Sequence, residues 1–253
     1  MSTKGNNRAS LPTSHPLQRL ASPSPTVSSL IHFLGLSSFA TAFKYLVDFP
    51  TLINDSYGWH FQYLTILGLS LATVTFTFGS LADMTSSQTL FRAKNLLSTC
   101  TTPLEVLIAI LYWSLRSIDK NLVIPEFAQL PLIADLSFHL FPPLFLSVDF
   151  FLLSPPWTIT ARNAMALSTT FAFGYWFWVE QCYKHNGYYP YPLFDQISFA
   201  GRIGFFILSA TVMTGSTITL KWLYAAMNGK IMETLQGEQD KKKTKPFAIE
   251  KSS

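Results

Sequence analysis

One apolar stretch of the sequence carries residues that could perform acid–base chemistry. Residues 134–153, ADLSFHLFPPLFLSVDFFLL, are long enough to cross a bilayer, yet they include His139. A titratable side chain within a membrane span is costly unless it pairs or meets water, so it indicates a function. A neutral imidazole can take a proton from a hydroxyl near pH 7 and return it to a leaving group. His139 is therefore a candidate catalytic base, the alternative being a histidine that only packs against a neighbouring helix.

The residues around His139 favour a specialised environment. Asp135 lies four positions earlier and hence on the same helix face. It could fix the imidazole tautomer, as the third member of a hydrolytic triad does. We expect instead that Asp135, close to the start of the span, faces water. Pro142 and Pro143 predict a kink that opens space next to the imidazole.

A hydroxyl nucleophile for His139 can be sought by depth in the membrane. Most threonines in membrane helices bond the carbonyl four residues earlier or bond a neighbouring helix. Thr65 follows closely after the start of the second apolar segment, and His139 follows the start of the fourth. Even-numbered spans start on the same side, so the two residues lie about 6 and 12 Å deep in one leaflet. Thr73, Thr75 and Thr77 lie past the middle of the membrane and match His139 less well.

The elements that would position these residues are long apolar helices. Hydrophobic residues make up 49% of the 253 residues and charged residues 13%, about half the share usual in soluble domains. The apolar segments are residues 28–47, 61–82, 98–116, 131–153, 160–182 and 203–227. They predict an all-α, polytopic membrane bundle of about six transmembrane helices. A membrane β-barrel is excluded because it would need alternating segments of about ten residues.

The domain organisation follows from composition. Residues 1–27, rich in Ser and Pro, predict a disordered N-terminal tail, and residues 28–227 form the membrane domain. Residues 228–253 are charged and predict a disordered C-terminal tail. With six spans both tails lie on one side, where more lysines and arginines are found. The positive-inside rule then predicts that both termini are cytoplasmic.

Several function classes lack their signatures in this chain. The histidines do not stand at zinc or di-iron spacings, and there is no phosphate loop, dinucleotide fingerprint or Gly-x-Ser-x-Gly elbow. We therefore expect no cofactor and no metal, a membrane-embedded protein, and no nucleic-acid partner. A glycosylation pattern, Asn54-Asp55-Ser56, stands close to the start of the second span.

Three sequence features resemble the androgen-induced-gene-1/FAR-17a family. Tyr63-Leu64-Thr65 looks like the family's aromatic-Leu-Thr motif, and Asp135…His139…Pro142 is similar to its Asp/Asn…His…Pro motif. Residues 175–206 also resemble the family, with a tryptophan-bearing helix, then Gly and Tyr-Pro, then an arginine before the last span. The likeness covers roughly residues 28–227, and its specificity lies in the order and spacing of the motifs.

The resemblance implies an enzyme. Family members are multi-pass threonine hydrolases that cleave fatty acid esters of hydroxy fatty acids. By resemblance, Thr65 is the nucleophile, His139 is the base, the substrate is a membrane lipid and the location is the endoplasmic reticulum membrane. Gln62 stands where animal members often have a basic residue, which bears on lipid preference rather than on the chemistry.

Two other function classes fit a membrane bundle. A channel or transporter would show a polar stripe along several helices or paired broken helices. The sequence predicts one broken helix and few buried charges. A non-catalytic regulatory membrane protein would use Thr65 and His139 only for packing.

Overall fold

The computed structural model describes residues 26–124 and 128–244, with side chains described as far as residue 229. All regular elements in these ranges are helices. The α-helices are Val27–Asp48 (α1), Leu64–Thr85 (α2), Gln88–Ile118 (α3), Leu132–His139 (α4), Phe141–Leu153 (α5), Ala161–Asn186 (α6), Leu193–Gln196 (α7) and Phe199–Thr244 (α8). Short 3-10 helices occupy Leu52–Asp55, Trp59–Gln62 and Lys120–Leu122. The predicted all-α class is confirmed.

The helices are those of a membrane protein, although the count of six spans is not confirmed. Within the described ranges, α1, α2, α3 and the Phe199–Gly229 part of α8 are long and apolar enough to cross a bilayer. Helices α4 and α5 make a fifth span if the pair, bent by 40°, is taken as one. Helix α6 is absent from this set because it is rich in small, aromatic and polar residues rather than aliphatic ones.

Helix α6 nevertheless runs antiparallel to α8 over much of its length. The Trp176 ring stacks on Phe206 with centroids 5.9 Å apart, and the Thr214 hydroxyl lies 3.5 Å from the Met165 sulfur. At 26 residues α6 is about 39 Å long, more than the roughly 30 Å of a hydrocarbon core. Its length, unlike its composition, is sufficient for a span.

The core of the bundle lies between α1, α2 and α5. Phe39, Leu69, Phe76 and Leu146 are fully buried there. Gly35 of α1 lets the Phe76 ring approach the backbone, since a Cβ at this position would collide with the ring. Helices α2 and α3 join through a tight turn in which the Ser87 hydroxyl accepts the Leu90 N–H and caps α3.

The loop between α1 and α2 is held by one asparagine. The Asn54 Oδ1 accepts the Thr51 N–H at 2.8 Å and lies 3.2 Å from the His60 Nε2. The Asn54 amide nitrogen donates to the Leu46 carbonyl at the end of α1. Because Oδ1 can only accept, the His60 Nε2 carries the proton. This network fixes the segment that leads into Thr65.

The structure describes part of the predicted C-terminal tail. Most of the predicted N-terminal tail, and residues 245–253 of the predicted C-terminal tail, lie outside the described residues. Helix α8 has non-helical dihedrals at Asn228 and then continues to Thr244. The helix therefore extends into residues 228–253, for which the sequence predicts a disordered tail. The helix beyond Asn228 consists largely of Lys, Glu, Gln, Met and Leu, which favour helix.

Candidate active site

The structure brings together the two residues that the sequence singled out. Thr65 is the second residue of α2, and His139 is the last residue of α4. The Thr65 Oγ1 lies 3.4 Å from the His139 Nε2, and both side chains are buried. This separation is slightly longer than an ordinary hydrogen bond, as is common for catalytic pairs without substrate.

The tautomer of His139 follows from its other nitrogen. The His139 Nδ1 lies 2.9 Å from the Asp135 Oδ1 and 3.1 Å from the Asp135 carbonyl oxygen. Carboxylate and carbonyl oxygens only accept, so Nδ1 carries the proton. The lone pair of Nε2 therefore points toward the Thr65 hydroxyl, which is the arrangement that a general base requires.

The expectation that Asp135 faces water is wrong, because the structure buries it completely. Helix α3 covers the first turn of α4 and supplies partners for the carboxylate. The Tyr112 hydroxyl donates to the Asp135 Oδ1, and the Arg116 Nη1 lies 3.2 Å from Oδ2. A buried carboxylate needs such partners. Asp135 is thus held in place to orient His139.

Two tyrosines anchor the start of α2. The Leu64 N–H donates to the hydroxyls of Tyr175 and Tyr191, at 3.1 and 3.0 Å. The hydroxyl of Tyr175, which belongs to α6, itself donates a hydrogen bond to the Gln62 carbonyl at 2.8 Å. The Tyr191 hydroxyl therefore binds the residue next to Thr65, and Tyr191 and Thr65 line the same cavities. The nucleophile candidate therefore has a phenolic hydroxyl beside it.

Two cavities meet at Thr65. The wide cavity, about 450 Å³, lies between α1, α4 and the loops that follow α1 and α3. The narrow cavity, about 80 Å³, lies between α3, α6 and α8. The residues lining both are Thr65, Tyr112, Val123 and Tyr191. The Thr65 hydroxyl is thus reachable from two directions.

Comparison with known proteins identifies the family of the chain. Residues 27–225 match the FAR-17a/AIG1-like protein family. The chain belongs to this family. A UPF0641 membrane protein of Schizosaccharomyces pombe is 32% identical over 200 residues, covering 78% of this chain and 90% of the yeast protein. No solved structure matches the chain.

The FAR-17a/AIG1-like match contains the whole site. It confirms the predicted family, while the catalytic roles of Thr65 and His139 stay predictions. The segments that carried the resemblance converge here: Tyr63-Leu64-Thr65 starts α2, and Asp135 and His139 bracket the second half of α4. The Tyr-Pro stretch supplies Tyr191.

Three residues at the site were missed by the sequence reasoning. Tyr112 and Arg116 stand in α3 without any local pattern that links them to Asp135. Tyr191 belongs to the Tyr-Pro stretch of the resemblance, which suggested no role for it. The sequence distance from Leu64 to Tyr191 is 127 residues, so only the folded chain reveals the contact.

A second group of buried polar residues lies at the other end of α2. The Lys94 Nζ lies 2.8 Å from one Asp149 oxygen and 3.0 Å from the other. The His32 Nδ1 lies 2.8 Å from Asp83 and its Nε2 lies 3.1 Å from Asp149. Both ring nitrogens face carboxylates, so both donate and the ring is an imidazolium.

This charge cluster is balanced, with two positive and two negative groups. It joins α1, α2, α3 and α5, and Gly79 leaves room for the imidazole, whose edge lies 2.5 Å from where a Cβ would stand. Asp83 is eighteen residues after Thr65, or about 27 Å along the helix. The cluster is therefore separate from the Thr65 site.

Proposed function

We propose that this protein is an intramembrane lipid ester hydrolase with Thr65 as nucleophile and His139 as general base. The observation that carries the proposal is the line of three groups at the junction of the two cavities. The Asp135 carboxylate holds Nδ1–H of His139, and Nε2 of His139 faces the Thr65 hydroxyl at 3.4 Å. A hydroxyl is a weak nucleophile until such a base takes its proton.

The first half of the reaction is acyl transfer to Thr65. The Oγ1 proton moves to the His139 Nε2 while Oγ1 bonds the ester carbonyl carbon. The carbon–oxygen bond to the alcohol then breaks, and the imidazolium gives its proton to the leaving alkoxide. Asp135 stabilises the imidazolium during this step.

The second half releases the acid. Water gives a proton to Nε2 and attacks the Thr65 ester, and the proton then returns to Oγ1, so the enzyme is regenerated. Negative charge develops on the carbonyl oxygen in both halves and needs donors. We assign this role to Tyr191, which lines both cavities together with Thr65 and whose hydroxyl accepts the N–H of the neighbouring Leu64.

The family resemblance and the two cavities support the proposed substrate class. Fatty acid esters of hydroxy fatty acids carry two long hydrocarbon arms on one ester group, and two cavities meet at Thr65. Such a lipid barely leaves the bilayer. A nucleophile at the second residue of a membrane helix meets it directly.

The orientation in the membrane is part of the proposal. We place the protein in the endoplasmic reticulum membrane with both termini in the cytoplasm. The loop between α1 and α2 then lies on the lumenal side. Cysteines introduced at Ser56 and Ser253 should differ in labelling by an impermeant maleimide in sealed microsomes, and equal labelling would contradict this topology.

The decisive experiment is ester hydrolysis by purified wild-type protein beside Thr65→Ala. Thr73→Ala is the matched control, because the Thr73 hydroxyl donates to the Leu69 carbonyl in the same helix. We expect Thr65→Ala to lose turnover, Thr65→Ser to retain part of it and Thr73→Ala to keep it.

Covalent labelling provides the second readout. A fluorophosphonate should modify Thr65, and modification should slow sharply in His139→Ala because the activating base is gone. An adduct on Ser70 or Thr73, or full activity in folded Thr65→Ala, would show that the nucleophile assignment is wrong.

A further inference from the structure

The two cavities at Thr65 differ in chemistry. The described residues that line the narrow cavity include no charged side chain, and its deeper wall is formed by Leu104, Ala210 and Met213, near the middle of α3 and of the Phe199–Gly229 part of α8. The wide cavity is lined by Asp48, Thr51, His60 and Gln129 as well as by apolar residues. The narrow cavity therefore extends toward the centre of the bilayer and the wide one toward its surface.

His139 breaks the symmetry between the cavities. Thr65 and Tyr191 line both, whereas His139 lines only the wide cavity. The imidazole has to reach two oxygens in turn, the Thr65 hydroxyl and the leaving alkoxide. The oxygen of the departing alcohol must consequently lie on the His139 side of the ester.

We propose that the narrow cavity binds the fatty acyl chain of the ester and that the wide cavity binds the alcohol arm. This assignment rests on the proposed function. An unbranched chain suits a slender, uncharged cavity that ends near mid-bilayer. An alcohol arm with a polar end, such as a second carboxyl group, suits a wider cavity whose outer wall is polar.

The assignment also orders the reaction. After the carbon–oxygen bond breaks, the protonated alcohol leaves through the wide cavity while the acyl chain stays in the narrow one on Thr65. Water enters by the space that the alcohol vacates and meets the His139 Nε2, which takes its proton. The alcohol and the water thus use the same cavity, which His139 lines. The acyl chain of the covalent intermediate does not block it, because this chain lies in the narrow cavity.

A pair of equivalent substitutions tests the two arms. Ala210 lines only the narrow cavity and Ala128 only the wide one, so Ala210→Phe and Ala128→Phe fill one cavity each. Purified wild-type and variant proteins would be assayed with two series of esters. One series has a fixed small alcohol and acyl chains of increasing length, and the other has a fixed short acyl group and alcohols of increasing size.

We expect Ala210→Phe to lower kcat/KM for the longest acyl chain about tenfold or more relative to the shortest, leaving alcohol preference unchanged. Ala128→Phe should lower kcat/KM for the bulkiest alcohol by a similar factor, leaving acyl preference unchanged. Alkyl fluorophosphonates add a readout without turnover, because the alkyl chain remains on phosphorus after fluoride leaves. Long-chain probes should label Ala210→Phe slowly and Ala128→Phe at the wild-type rate.

The outcomes distinguish a wrong assignment of the two arms from a wrong proposed function. The opposite pattern, or unchanged preferences in both folded variants, would overturn the arm assignment while hydrolysis by the wild type still supports the proposed function. No hydrolysis and no Thr65 adduct in the wild type would overturn both. A short-chain probe that labels both variants at the wild-type rate shows that they are folded. If Ala210→Phe does not fold, Ala172→Phe fills the same cavity from α6.

Discussion

The imidazole of His139 lies flat against the ring of Tyr112, with ring centroids 3.4 Å apart and planes inclined by 2°. The hydroxyl of the same tyrosine donates to the Asp135 carboxylate that holds the imidazole. One residue of α3 therefore contacts both the ring of the proposed base and the carboxylate at its Nδ1. The stacked ring covers one face of the imidazole, and the Asp135 carboxylate lies at its Nδ1 edge.

Tyr112 offers a way to separate these two contacts. Tyr112→Phe keeps the stacked ring and loses one hydrogen bond, so we expect kcat to fall about fivefold, equivalent to about 1 kcal/mol. Tyr112→Leu removes the ring as well and should lower kcat about tenfold further. Steady-state kinetics would measure both effects, with melting temperatures to confirm folding. Equal kcat values for the two variants would show that the stacked ring has no role.

Asp135→Asn should be severe. The Tyr112 hydroxyl donates to the Asp135 carboxylate, the His139 Nδ1–H faces it at 2.9 Å, and the Arg116 Nη1 lies 3.2 Å from its second oxygen. The amide group of an asparagine would direct its own hydrogens at one of these donors. We expect kcat to fall about a hundredfold or more with little change in KM, because the tautomer of His139 is no longer fixed.

The measurement is kcat and KM for Asp135→Asn beside His139→Ala over a range of pH. A kcat near the wild-type value in Asp135→Asn would mean that other groups suffice to orient the ring. The contact between His139 and Asp135 would then be structural.

Tyr191→Phe tests the assigned oxyanion donor. Removing a single donor of this kind lowers kcat by about 10²–10³-fold with little effect on binding. Tyr175→Phe is the matched control, because its hydroxyl also accepts the Leu64 N–H but donates to the Gln62 carbonyl. We expect it to lower stability more than kcat. If both variants had the same kcat, the Tyr191 hydroxyl would only support the start of α2.

The stability of the protein should decrease as the pH is lowered, because His60 is buried. Burial lowers the pKa of His60 from its ordinary 6.5 to about 4. Between these values the unfolded chain binds a proton that the folded protein does not, so stability is complete above about pH 6.5 and declines as pH falls toward 4. The melting temperature in detergent should therefore be lower at pH 5 than at pH 7.5.

His60→Gln should reduce this pH dependence, since glutamine can still donate to Asn54 but does not titrate. His185, an exposed residue at the end of α6, provides the control as His185→Gln. An unchanged difference in melting temperature between pH 7.5 and 5 in His60→Gln would assign the effect to another group.

The charge cluster should matter for stability and not for catalysis. Lys94→Met leaves Asp149 buried with one cation fewer, a change that costs about 3–5 kcal/mol. We expect a fall in melting temperature of about 10 °C, partly restored in the double variant Lys94→Met with Asp149→Leu. Lys44→Met, in an exposed pair with Asp48, should change it little. A folded Lys94→Met protein with altered KM would link the cluster to the active site.

Part of this arrangement could be predicted from the sequence. Helix length and span parity give approximate depths that favour Thr65 over the other threonines of α2, and the family resemblance pairs Thr65 with His139. The same reasoning could not give the environment of Asp135. Because Asp135 lies near the start of a helix, the sequence predicts that its side chain faces water. Only the packing of α3 against α4 shows that Arg116 and Tyr112 take the place of water around the carboxylate.

The number of spans illustrates a different limit. Hydropathy measures aliphatic content well, but α6 relies on aromatic and small residues, whose contribution depends on what they pack against. Trp176 stacks on Phe206, a contact between helices that composition does not encode. The length of α6 and its packing against α8, rather than its average hydropathy, define the place of α6 in the bundle.

The two prolines that follow His139 have a consequence for the backbone itself. A helical carbonyl normally accepts the N–H four residues later, and for Phe138 and His139 those residues are Pro142 and Pro143, which have no N–H. Phe138 and His139 both line the wide cavity. Hydrocarbon cannot satisfy these two oxygens, whereas a water molecule or a substrate hydroxyl can. The bend thus creates a position within the span at which polar molecules are stabilised by two backbone carbonyl oxygens.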